Sequence, residues 1–167
     1  CKYRPERPVP RGLVTLRTIV VLALGLAGVA VLLTVTLTPW LLALLAAVWL
    51  WLGLMTAEFF VPDWLKARPF LYLVSHMVIL PLIDLFVTGT EWLPHDNWPP
   101  QGLWLFLALS FLNGCVLEIG RKVWAPENER EGVETYSSLL GAKRAAQLWI
   151  AVSAAALLLL IAVSFAV

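Results

Sequence analysis

Between positions 18 and 57 the chain runs for forty residues without a charged side chain. A single helix over that stretch would be about 60 Å long, against a bilayer hydrocarbon core of roughly 30 Å. The run must therefore fold back on itself. Pro39 supplies the break, because it lacks an N–H and holds Thr38 in an extended geometry. The pattern predicts two helices, over about 18–37 and 40–60, joined by a very short turn at Thr38 and Pro39.

Three further apolar runs, at about 69–88, 101–120 and 145–167, predict three more spans. In lipid each backbone polar group must be satisfied within its own segment, so these runs are helices. Strands are excluded because the runs are far longer than a barrel strand needs and do not alternate. The expected fold class is all-α: a polytopic transmembrane helical bundle with five spans in these 167 residues. Composition agrees. Only 14% of the residues are charged, where soluble domains carry roughly 25%. Nine tryptophans suit helices that cross membrane interfaces. Two cysteines, Cys1 and Cys115, give neither a disulfide framework nor a zinc spacing.

The basic residues fall in three places. Lys2, Arg4, Arg7, Arg11 and Arg17 precede the first span. Lys66 and Arg68 lie between the second and third. Arg121, Lys122, Arg130, Lys143 and Arg144 lie between the fourth and fifth. None falls at the Thr38–Pro39 turn or in 89–100. With five spans all three segments share one side, and the positive-inside rule makes it cytoplasmic. Segments 1–17, 61–68 and 119–144 are expected in the cytoplasm, and the 89–100 loop on the outer side, its tryptophans serving as interfacial anchors. The expected setting is a prokaryotic inner or plasma membrane.

Two polar clusters could carry chemistry. Residues 3–12 hold Arg4, Arg7 and Arg11 among three prolines, a stiff arm able to grip phosphate oxygens bidentately. A topology-setting or lipid-touching basic arm is the alternative. Between positions 118 and 134 stand five glutamates with Arg121, Lys122 and Arg130. Hard oxygens from Glu118, Asn128 and Glu129 suit magnesium, which keeps waters and bridges to substrate phosphates. Arg121 and Lys122 could hold the diphosphate. A solvated loop with a Glu118 pair at i,i+3 or i,i+4 is the alternative. Ser110 and Asn113 lie on the same face of the fourth span as Arg121, and that face is expected to line a cavity open to the cytoplasm. Glu58 and His76 are candidates for the same cavity. Asp84 is a charge at depth that, with His76 and Glu58, could instead serve a transport path.

The two clusters together resemble the UbiA family of intramembrane prenyltransferases. Arg4, Arg7, Pro8 and Gly12 match its R-x-x-R-P-x-x-x-G stretch, and Gly132, Thr135 and Gly141 match the tail of its second motif, D-x-x-x-G-x-x-T-x-x-x-x-x-G. The motif aspartate is Asn128 here, flanked by Glu127 and Glu129. The resemblance implies an Mg2+-dependent membrane enzyme that transfers an isoprenoid chain from a prenyl diphosphate to an aromatic or other hydrophobic acceptor. No residue is assigned the chemical step. The family's first aspartate-rich motif and its C-terminal helices are missing. The chain starts with Cys1 and stops inside an apolar run, so it reads as an internal fragment of a larger bundle, inactive alone. An acylated Cys1 is the competing explanation of the first residue. A transporter subunit and a non-catalytic membrane scaffold are the alternative functions. No nucleic-acid partner is expected, and the oligomeric state stays open.

Overall fold

A computed structural model describes residues 8–95, 98–130 and 132–166. Helix α1 (Leu16–Leu37) starts at Thr15, whose hydroxyl oxygen accepts from the Thr18 N–H at 3.1 Å. It stops at Thr38, which is extended as the following Pro39 requires. Helix α2 (Leu41–Thr56) returns antiparallel. It has 16 residues and is about 24 Å long. It ends earlier than the expected position 60, because Glu58, Phe59 and Phe60 all turn to positive φ (49°, 53° and 62°). For L-residues that conformation costs about 1–2 kcal/mol each. Phe59 recovers contact by wedging its ring edge-on to Trp51 and His76, at 5.4 and 5.9 Å between centroids.

The short helix α3 (Pro62–Lys66) crosses to α4 (Pro69–Met77) and α5 (Ile79–Trp92), which continues as a 3-10 turn through His95. Helices α4 and α5 form one kinked span of 27 residues, Pro69–His95. The kink at Val78 follows from Pro81, which cannot donate to the carbonyl four residues back. This span outlasts the expected end at 88 by nearly two turns, so Glu91 and Trp92 are helical and do not sit in a loop. Helix α6 (Leu103–Gly120), α7 (Tyr136–Leu140) and α8 (Ala142–Ala166) complete the bundle. Lys143 and Arg144, expected in a loop, lie in the first turn of α8.

The described residues contain no strand, and the fold is the expected all-helical membrane bundle. Four stretches are long and apolar enough to cross a bilayer: Leu16–Leu37, Pro69–His95, Leu103–Gly120 and Ala142–Phe165; α2 is a shorter apolar helix between them. Packing runs in chain order, α1 on α2, α2 on α5, α5 and α4 on α6, and α6 on α8. Large apolar side chains line the outside: Leu26 is 70% and Leu158 68% exposed, which lipid tolerates and water does not. Helix association in lipid relies on close packing at small residues. Three glycines mark those contacts. A Cβ on Gly89 would stand 2.9 Å from Leu44, one on Gly114 would strike Leu80, and one on Gly120 would stand 2.8 Å from the Trp149 indole nitrogen.

Trp149 also donates its indole N–H to the Val116 carbonyl at 3.0 Å, tying α8 to α6. Gly120→Ala should displace this rigid ring, break that bond and cost about 1–3 kcal/mol. Thermal unfolding in detergent checks it, and Gly53→Ala, with open space around it, is the silent control.

Candidate functional site

Most of the charged residues of the described chain collect at one end of the bundle, where α2 leads into 57–68 and α6 into 121–141. Glu118, in the last turn of α6, has only 12% of its side chain exposed. Its carboxylate pairs with Arg121 at 2.5 Å and Lys122 at 3.1 Å. Both oxygens of this enclosed carboxylate are thus engaged by cations from the next turn of chain. Arg121 is 72% exposed, so most of its guanidinium donors face outward.

Lys122 also lies over the Tyr72 ring, 5.8 Å from its centroid. Tyr72 stacks on His76 at 3.9 Å and 11°. Its hydroxyl lies in the field of Glu58, Glu118 and Glu134, with Arg121 opposing them. Four separate segments thus converge around Tyr72. Glu58 pairs with Lys66 at 3.4 Å through one oxygen, while the other is buried without a partner among the described residues. His76 Nδ1 donates to the Tyr72 carbonyl at 2.9 Å. Glu134 is one of the five glutamates of the 118–134 cluster, whereas nothing in the sequence marks Tyr72. An isolated tyrosine one turn into an apolar run gives no local pattern, and its importance comes from the residues other segments bring to it.

The 121–141 loop is folded rather than loosely solvated. The Tyr136 N–H donates to the Lys122 carbonyl at 2.9 Å, and the Trp124 N–H to the Ser137 hydroxyl at 2.7 Å. Thr135 is the hub. Its buried hydroxyl donates to the Glu129 carboxylate, 2.6 and 2.8 Å from the two oxygens, and accepts from the Ser138 N–H at 3.0 Å. The Ser138 hydroxyl faces the Thr135 N–H in return, at 3.3 Å, which makes a capping box for α7. Gly132 and Gly141 have φ of 76° and 81°. At Gly141, with ψ 146°, only glycine fits readily. The three motif positions Gly132, Thr135 and Gly141 therefore shape this loop and hold Glu129. Asn128 closes a 3-10 turn (Pro126–Asn128) and is exposed.

Not every expected residue joins this cluster. Arg4 and Arg7 lie outside the described residues. Arg11 is exposed in the turn before α1, which packs on α2. Asn113 is exposed on α6 and Ser110 half-buried beside it, so their face runs along the outside of this helix. Asp84 is half-buried well along the span from His76, and the two make no contact among the described residues. Among the described residues no group of three or more His, Cys, Asp or Glu could hold a metal ion. Glu129 and Asn128 fit a magnesium ion only as two hard-oxygen donors beside a substrate phosphate, not as a cage.

Fold and site together define an integral membrane protein with a charged, structured loop at one end of its bundle. The family model for the UbiA prenyltransferase family matches residues 2–167. The chain belongs to that family, whose members are membrane prenyltransferases. No curated protein and no solved structure matches it.

Burial pushes the Tyr136 phenol up to about 12 from 10.0, with Glu118 and Cys115 adding to the shift. The fold favours the neutral phenol. That contribution is intact below about pH 10 and is lost as pH rises through about 12. In ultraviolet phenolate titration, the component missing from Tyr136→Phe should be the one that ionises near 12. A missing component that titrates near 10 would contradict the burial of α7.

Proposed function

We propose that this protein transfers an isoprenoid chain from a prenyl diphosphate to an aromatic or other hydrophobic acceptor, with Mg2+, at the cytoplasmic face of the membrane. The observation that carries the proposal is the convergence of Glu118, Arg121 and Lys122 with Tyr72, beside a loop that holds Glu129. The chain contributes one transmembrane domain of a larger bundle, with 1–17 as a basic arm and 119–144 as the polar loop.

Arg121 and Lys122 bind the diphosphate oxygens. Glu118 spends one or two of their donors and leaves the rest for phosphate, so it acts as a positioning residue. As the allylic C–O bond breaks, its electron pair leaves on the diphosphate oxygen, and these cations stabilise the developing charge. Arg4, Arg7 and Arg11 of the arm add guanidinium donors to the same diphosphate. Glu129 and Asn128, with Glu118 in reserve, would hold magnesium against the phosphates, where the ion supplies further charge neutralisation. Thr135 fixes Glu129 for that role. The apolar walls around Tyr72 and His76, with Glu58 at the rim, keep water from the allylic carbon while the acceptor attacks it and loses a proton.

Asn128 in the motif aspartate's place favours a second reading, a family member that keeps the fold as a scaffold without turnover. One assay separates the two. With the intact protein in vesicles, prenyl diphosphate consumption should require magnesium and stop on chelation. Lys122→Ala should lower kcat/KM on the order of 10- to 100-fold. Lys143→Ala, at the exposed start of α8, should leave it unchanged. Consumption indifferent to both chelation and Lys122→Ala would overturn the proposed site, and no consumption by the wild type would favour the scaffold.

A further inference from the structure

At the end of the bundle opposite Glu118 a cavity of about 670 Å³ opens beside the close of α5, lined by Thr88, Glu91, Trp92, His95, Trp98 and Pro100. It belongs to neither polar cluster described above. His95 ends the 27-residue apolar span, so the cavity lies at headgroup depth. Its chemistry is selective. The exposed Glu91 carboxylate makes no ion pair among the described residues, and the 89–100 stretch contains no lysine or arginine. The local charge favours a cation. Two indoles stand with that carboxylate, and tryptophan is the best aromatic partner for an ammonium group. Trp98 is 91% exposed, so its ring is accessible to a ligand. The imidazole of His95 is fixed by its Nδ1–H, which donates to the Glu91 carbonyl at 2.8 Å, and this leaves Nε2 for a second polar group. The Thr88 hydroxyl is spent on the Asp84 carbonyl at 2.8 Å. Glu91 and His95 alone are too few ligands for a metal ion.

The geometry points to a binding site for a phospholipid with an ammonium headgroup, the amine held by Glu91 between Trp92 and Trp98 and the headgroup's phosphodiester end beside His95. A membrane lipid is the occupant because the site lies where headgroups are concentrated and its neighbours are apolar helix faces. The site is independent of the reaction proposed at the other end.

Native mass spectrometry of the intact protein, titrated with phosphatidylethanolamine or phosphatidylglycerol, tests it. The wild type should retain the ethanolamine lipid in preference to the glycerol lipid. Glu91→Gln should weaken the ethanolamine lipid about fivefold and leave the glycerol lipid unchanged. Trp98→Ala, at a fully accessible position, should act in the same direction. Water-soluble glycerophosphoethanolamine should not be retained. Equal retention of both lipids, an unchanged preference in both variants, or equal retention of the soluble headgroup would each overturn the assignment. Equal retention of both lipids would leave only an interfacial aromatic belt.

Discussion

The charged end of this bundle depends on Glu118. A carboxylate packed among helices is costly unless cations compensate it, and Arg121 and Lys122, just past the end of α6, stand one turn further along the chain to do so. From that pairing the loop is built outward. The carbonyl of Lys122 anchors the first residue of α7, and Tyr136, that first residue, packs with Leu73, Cys115, Ile119 and Ala145. The same core joins α4, α6, α7 and α8, so the charged loop rests on apolar packing directly beneath it. Glu129 is positioned by Thr135, the N-cap of α7, so the order of the loop and the placement of its acids have one cause.

Much of this was legible in the sequence because lipid leaves a chain few choices. A charge-free run longer than a bilayer must turn, and Pro39 marks the turn, midway between Leu37, where α1 ends, and Leu41, where α2 begins. The i,i+3 and i,i+4 spacing of Glu118 with Arg121 and Lys122 foretold their pairing. Hydropathy failed where conformation rather than polarity ends a helix. Phe59 and Phe60 continue the apolar pattern, yet the backbone has already turned to positive φ there. It failed in the other direction at Thr88, Gly89 and Thr90. These look like a span's end, but Gly89 lets α5 press against Leu41 and Leu44 of α2, and the helix runs on. Helix α7 escaped notice because its capping box uses Ser138 where a glutamate or glutamine is the usual third-position partner.

The site was legible in part, and the division has a physical basis. Residues linked by local spacing, or by a motif, could be named: Glu118, Arg121, Lys122, Thr135 and Gly141. Tyr72 could not, because Lys122, which lies over its ring, and the acids Glu58, Glu118 and Glu134, whose field reaches its hydroxyl, come from other segments. Asn113 shows the limit in reverse. A polar residue within a span implies a facing partner, but the pattern does not say which neighbour supplies it.

The central claim is that the arm at 1–17 and the loop at 119–144 meet on one membrane face to hold one diphosphate. Cysteine pairing tests it most directly. With Cys1 and Cys115 changed to alanine in the intact protein, Glu6→Cys and Glu127→Cys flank the proposed contacts without replacing them. The account predicts that a short bifunctional thiol reagent joins the two positions and that a bound prenyl diphosphate slows the reaction. Labelling of the two positions from opposite sides of sealed vesicles, with no cross-link formed, would contradict it.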